Sequence, residues 1–203
     1  MLASTAWTIS NPWYGCLEYA TSILGAAPIA GFMPLLTDTT TSTCPWSGRI
    51  WTADATMAGQ LTAQGNGVAR AFVAASSRYL TTPDTADLSF NTGGLTDLPF
   101  TTLAVYTPTT LTGVQTLLSK YDSALVTYEW MFYAQGGHVR LLLADASAAA
   151  LSVQIQDGAV SVGVPVVIGA TYNGVGGASA ANGITIYVNG TAVAATPSNN
   201  AAY

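Results

Sequence analysis

Ile184-Thr185-Ile186-Tyr187-Val188-Asn189-Gly190-Thr191-Ala192-Val193-Ala194-Ala195 is the stretch whose pattern fixes the fold class. Ile184, Ile186 and Val188 alternate with Thr185 and Tyr187, the period of two that puts apolar side chains on one face of a half-buried strand. Asn189-Gly190 supplies the positive backbone angles of a tight primed turn, so the chain folds back along 191–195 as a hairpin. The same period recurs outward from this hairpin. Strands are predicted over 29–36, 68–75, 100–106, 114–120, 126–134, 138–144, 151–156, 166–172, 184–188 and 191–195, separated by Gly, Pro, Asn and Asp clusters. Gly136-Gly137 predicts a second hairpin. Leu151, Val153 and Ile155 are expected on the buried face of their strand, with Ser152, Gln154 and Gln156 on the other. The segment 173–183 is rich in Gly, Ala and Ser without apolar period and is expected to be a mobile loop. Helix is scarce and no internal repeat is found, so the expectation is an all-β, two-sheet antiparallel sandwich.

Composition narrows the function classes. Of 203 residues, 50% are hydrophobic and only 7% charged, where about 25% charged is usual for soluble domains. Five Lys+Arg against ten Asp+Glu give a net charge of −5. No basic tract exists to neutralise a run of phosphates, which argues against nucleic-acid binding. Disorder is excluded, because unfolded segments combine low hydrophobicity with high charge. A single domain of this length buries roughly 70% of its unfolded surface and needs no metal or disulfide staple. A surface so poor in ions is not expected to face water alone. An obligate assembly, with a homo-oligomer among its forms, is the expectation.

The first seventeen residues contain no Lys or Arg, so the cationic start of a secretory signal is missing and Met1 is read as the mature start. The uncharged run 19–36 approaches a membrane span in length, but Gly25, Pro28, Gly31 and Pro34 interrupt it, and no membrane partner is expected. Cys16 and Cys44 can pair or remain a reduced buried pair; two thiols do not make a disulfide framework.

Several spaced motifs together resemble one family. Tyr19-Ala20-Thr21-Ser22-Ile23-Leu24 through Pro28-Ile29-Ala30-Gly31-Phe32 resembles an entry helix and first strand. Tyr79-Leu80-Thr81-Thr82-Pro83-Asp84 with Leu88-Ser89-Phe90, then Phe100 to Tyr106 and Gln115 to Lys120, resemble successive family segments. Ala170-Thr171-Tyr172-Asn173-Gly174 followed by Ile184 to Gly190 is the closest piece. The set resembles the laminin G-like, concanavalin-type jelly rolls, in the version common among bacteriophage structural proteins. The resemblance implies a jelly-roll domain over 19–203 behind a short N-terminal arm, 1–18. Family members continue with a further strand bearing an acidic pair, whereas this sequence stops at Tyr203. Either the sequence is cut short, or the sandwich has an open edge that another chain completes.

Catalysis is not expected. Glycoside hydrolases on this jelly roll use two carboxylates flanking the substrate, about 5 to 9.5 Å apart. Glu129 has no acid two residues away on its strand, and Asp84 and Asp87 sit in a turn where Asp satisfies local backbone donors. A Ser or Cys nucleophile needs a base, and the single histidine, His138, is expected as an exposed imidazole at the Gly136-Gly137 hairpin. Gly65-Asn66-Gly67 precedes a strand rather than a helix and is no phosphate cradle. Cys16, Cys44 and His138 lack metal-ligand spacing. The resemblance implies a calcium loop in some relatives, with Asp122 in the corresponding loop; without a second carboxylate the plain turn Asp is preferred, and no cofactor is expected. Asn189-Gly190-Thr191 matches a glycosylation sequon that the hairpin already explains.

The aromatic residues offer two binding readings. Trp7, Trp13 and Tyr14 lie in a stretch too short for its own core, so they pack on the sandwich or dock onto a neighbouring subunit. Trp46 and Trp51 flank Gly48-Arg49 as a candidate sugar platform, and Met131 and Tyr133 form another beside Glu129. Tyr128, Trp130 and Phe132 are expected on the core face. Two functions follow. The first is a non-enzymatic virion protein, assembled in the host cytoplasm, that decorates a capsid or tail through contacts with other virion subunits. The second is a glycan-binding, lectin-like module of a bacterial surface or secreted protein.

Overall fold

In a computed structural model, the described residues are 41–43, 49–53, 61–64, 67–72, 79–91, 96–122, 127–147, 149–157, 160–200 and 203. The chain divides into two compact units, Met1–Asp84 and Thr85–Tyr203. In the first, β1 (Thr41–Thr43), β2 (Ile50–Ala53) and β5 (Leu80–Thr81) form an antiparallel sheet in the order β1-β2-β5, and β3 (Leu61–Gln64) pairs with β4 (Gly67–Arg70). The arm 1–18, the predicted strand 29–36, the uncharged run 19–36 and both cysteines lie outside the described residues. No helix among the described residues is long and apolar enough to cross a membrane.

The second unit is an all-β sandwich of two antiparallel sheets. Its strands are β6 (Phe100–Tyr106), β7 (Val114–Asp122), β8 (Thr127–Gln135), β9 (His138–Asp145), β10 (Ala150–Gln156), β11 (Val166–Tyr172), β12 (Ile184–Val188), β13 (Thr191–Ala192) and β14 (Ala195–Asn199). One sheet runs β14-β10-β9-β8-β7, the other β13-β12-β11-β6. Both predicted hairpins form. Gly136 and Gly137 have φ of 62° and 82°, Asn189 and Gly190 of 50° and 79°, the pair of positive angles that matches the twist of flanking strands. Predicted strands 100–106, 166–172 and 184–188 coincide with β6, β11 and β12. The predicted 191–195 instead splits into the two-residue β13 and a separate β14, which crosses to the other sheet. Asp122 ends β7 rather than sitting in the following loop.

Between the sheets, Trp130, Phe132, Val139, Leu141 and Leu143 meet Phe100, Val166, Ile168, Ala170, Tyr172, Ile184 and Ile186. Register explains the selection: Trp130 opposes Leu143 and Phe132 opposes Leu141, so one alternating set of β8 and β9 fills the interior.

β10 reverses the sequence expectation. Ser152, Gln154 and Gln156 are buried on the interior side, opposite Leu143 and Leu141, while Leu151 is exposed and Val153 and Ile155 are half-buried on the other face. Two facts account for the inversion. Gln156 Oε1 accepts the Val139 N–H at 3.0 Å, a buried side-chain bond that is available only with this face inward. The opposite face is also apolar, since Leu151 and Val153 lie across from Ala144 and Leu142, both buried, so the β10 apolar set has partners there. Ser152 Oγ and Gln154 Oε1 are buried with no hydrogen-bond partner.

The segment 173–183 contains regular structure and is partly packed. Gly177–Gly183 forms a 3-10 segment with Ala180, Ala181 and Gly183 buried. The Asn173 N–H donates to Gly183 O, the Ala181 N–H donates to Asn199 Oδ1 at 2.9 Å, and the Val175 N–H donates to Asn173 Oδ1 at 3.0 Å. Small side chains let this backbone approach the sheet closely, which is why no apolar period marks it. A Cβ at Gly183 would collide with the Asn173 amide oxygen.

Candidate functional site

Aromatic rings run as a chain through one region of the sandwich. Phe90 stacks on Phe100 with centroids 4.1 Å apart, Phe100 meets Trp130 at 5.9 Å and Tyr172 edge-on at 5.8 Å, and Tyr172 meets Tyr203 at 6.3 Å. The Trp130 indole N–H donates to Leu88 O at 2.9 Å, anchoring the 3-10 turn Ala86–Leu88 to the sheet. Ser89, next along, donates to Glu129 Oε1 at 3.2 Å and accepts from Lys120, and Lys120 Nζ pairs with the same Glu129 oxygen at 2.7 Å. Glu129 is thus engaged by Lys120 of the neighbouring strand and by Ser89.

At the tyrosine end, Tyr172 Oη donates to Asp97 Oδ2 at 2.8 Å and accepts the Gly176 N–H at 2.7 Å. Gly177 and Tyr203 exchange backbone bonds, with Gly177 N–H to Tyr203 O at 2.8 Å and Tyr203 N–H to Gly177 O at 3.2 Å. Burial raises the Asp97 carboxyl, with the Asp145 charge adding to it and the Tyr172 bond opposing it. Burial likewise raises both phenols: for Tyr172 the bond to Asp97 adds, and for Tyr203 the charges of Asp97, Glu129 and Asp145 add. Asp97 and Tyr172 bond one another, and Tyr203 is tied to Gly177 through its backbone and to Tyr172 through its ring, which makes the corner a lock. Among the described residues, no group of three or more His, Cys, Asp or Glu is placed to hold a metal ion.

The lock has an alkaline signature. A phenol whose folded value lies above its unfolded value of about 10 stabilises the fold below that pH and loses the contribution as pH rises toward the folded value. Denaturant midpoints are therefore expected to fall progressively above about pH 10, with phenolate absorbance of Tyr172 and Tyr203 appearing only as the protein unfolds. Tyr203→Phe should flatten the decline; an unchanged slope in that variant would remove Tyr203 from the account.

Of the residues singled out from sequence, Trp7, Trp13, Tyr14 and Trp46 lie outside the described residues. Trp51 is half-buried in β2, opposite Ser42. His138 is half-buried rather than exposed, because its Nδ1–H donates to Gln156 O at 2.8 Å. Tyr133 is buried, with the Arg140 guanidinium 5.8 Å from its ring centroid, so it is no open sugar platform. Asp87 accepts from Thr85 Oγ1 within its turn.

Sequence reasoning missed a surface. On β6, Phe100 and Thr102 point inward, while Leu103 is 46% and Val105 44% exposed on the opposite face. Val167, paired with Val105, is 38% exposed. Gly169 lies opposite Leu103, whose Cδ1 would sit 3.2 Å from a Cβ at that position. The signal was present in Phe100-Thr101-Thr102-Leu103-Ala104-Val105-Tyr106, where large apolar residues occupy both alternating sets. No protein-family model matches the chain, and neither does any curated protein or solved structure compared with it.

Proposed function

We propose that this chain is a non-enzymatic structural protein of a virion, a capsid-decoration or tail-associated subunit used for display and attachment, built on a laminin G-like jelly roll. The observation that carries this is the outer face of the four-stranded sheet. Leu103, Val105 and Val167 are exposed there, and β6, β11, β12 and β13 contain no Asp, Glu, Lys, Arg or His. An uncharged sheet face with exposed aliphatic side chains is a surface that a subunit buries against neighbours and that an isolated protein avoids. The spaced jelly-roll motifs support the same reading, of a protein that assembles in a host cytoplasm and reaches the outside as part of a particle. Trp51 and Trp46 are the residues through which such a display protein would stack on sugars.

Particles purified from the native source test this. Mass spectrometry should find the chain at a fixed stoichiometry, and electron microscopy should place it at regular positions. Saturable sugar binding by a protein absent from particles would replace this function with the lectin one.

A further inference from the structure

We infer that two copies of this chain join edge to edge through β6, antiparallel about a two-fold axis at Leu103, so that two four-stranded sheets become one of eight. The proposal rests on the reading as an assembly subunit only for its biological setting; its evidence is the chemistry of the sheet edges.

Among the described strands the sandwich has four edges: β14, β7, β13 and β6. Three are blunted in the ways that keep sheets from pairing. β13 is two residues long. β14 carries Pro197, which has no N–H to donate. β7 is broken by register shifts between Thr116 and Leu118 and between Lys120 and Tyr121. β6 has none of these features. It is seven residues of regular pairing to β11 without a charge, a proline, a glycine or a bulge.

Its free backbone groups can be assigned. The Val167 N–H donates to Asn189 Oδ1 and Val167 O accepts the Asn189 N–H, so both polar groups of Val167 turn away from β6. By alternation, β11 bonds β6 through the pairs Val166–Tyr106, Ile168–Ala104, Ala170–Thr102 and Tyr172–Phe100. Thr101, Leu103 and Val105 therefore direct their N–H and C=O groups to the open edge.

The sequence of β6 selects a second copy as the occupant. An antiparallel axis at Leu103 sets Leu103 against Leu103, Thr101 against Val105, Thr102 against Ala104 and Phe100 against Tyr106. Outward residues meet outward residues, inward meet inward, and aromatic faces aromatic. Every edge group of Thr101, Leu103 and Val105 then finds its partner, and the exposed Leu103 and Val105 side chains cover each other across the axis. No charge repels its copy, and the two-fold closes without creating a new edge.

Sedimentation equilibrium of the full chain is expected to show a dimer. Leu103→Lys sets two like charges together at the axis and should raise the dissociation constant by about a hundredfold or more. Leu103→Pro removes an N–H that points to the open edge, so it should also give monomer while leaving the bonds to β11 in place. A third readout needs no variant: amide exchange of Thr101, Leu103 and Val105 should slow as protein concentration rises, while Thr102 and Ala104 stay protected throughout. A chain that is monomeric at all concentrations, a dimer indifferent to both substitutions, or edge amides whose exchange ignores concentration would each overturn the proposal. None of these results bears on whether the protein occupies particle positions, which the imaging experiment decides separately.

Discussion

Phe132→Ala is expected to cost about 3–5 kcal/mol of folding stability. Phe132 is wholly buried at the middle of β8, opposite the equally buried Leu141. Truncation removes the transfer free energy of a full aromatic side chain and leaves a cavity between two sheets that are each held by backbone ladders and cannot collapse inward. The check is a urea titration in which the midpoint falls and the slope is unchanged. Leu151→Ala is the comparison, because Leu151 lies on the other face of the same sheet and is 37% exposed. It should cost no more than about 1 kcal/mol in the isolated subunit. Equal losses in the two variants would mean that the interior lies elsewhere.

Gly174→Ala is the second large effect, at about 2–5 kcal/mol. Two independent costs combine. Gly174 has φ of 78°, a left-handed conformation that costs a residue with a Cβ about 1–2 kcal/mol. A Cβ there would also lie 2.9 Å from the Asp97 carbonyl oxygen and 3.2 Å from the Pro99 nitrogen, both backbone, and overpacking of this kind costs about 1–3 kcal/mol. Gly190→Ala separates the terms, because Gly190 has φ of 79° but nothing within 4 Å of the added Cβ. It should show only the conformational cost, and the difference between the two thermal or chemical midpoints measures the collision. At Gly176 the obstruction is the Asp97 side chain and not its backbone, so adding Asp97→Ala should recover part of the loss there and none of it at Gly174.

The parts of the fold that were legible are those in which a local signal and the final packing agree. Asn189-Gly190 and Gly136-Gly137 declare their backbone angles in their residue types, and β12 alternates cleanly, so the two hairpin turns and the bounds of β12 follow from sequence. β10 was misread because alternation reveals that two faces differ without revealing which is buried. The deciding bond, Gln156 to Val139, joins residues 17 apart. The 3-10 segment Gly177–Gly183 is not foreshadowed in the sequence because packing through Ala and Gly leaves no apolar period. The tyrosine lock was invisible for a related reason: Asp97 and Tyr172 are 75 residues apart, and only the folded chain brings their side chains together. The β6 edge could have been found, since its near-palindromic residue order is a property of the sequence, but its meaning depends on the other three edges being closed.

β10 carries a cost for the route to the native state. Shifting its pairing by one residue would send Leu151, Val153 and Ile155 inward and expel Ser152, Gln154 and Gln156, and on hydrophobic grounds alone that competitor is the better strand. The native alignment is the one in which Gln156 receives the Val139 amide and β14 pairs along the far side of β10. At this strand hydrophobic preference and native packing point in opposite directions, a local conflict of the kind that roughens a folding landscape.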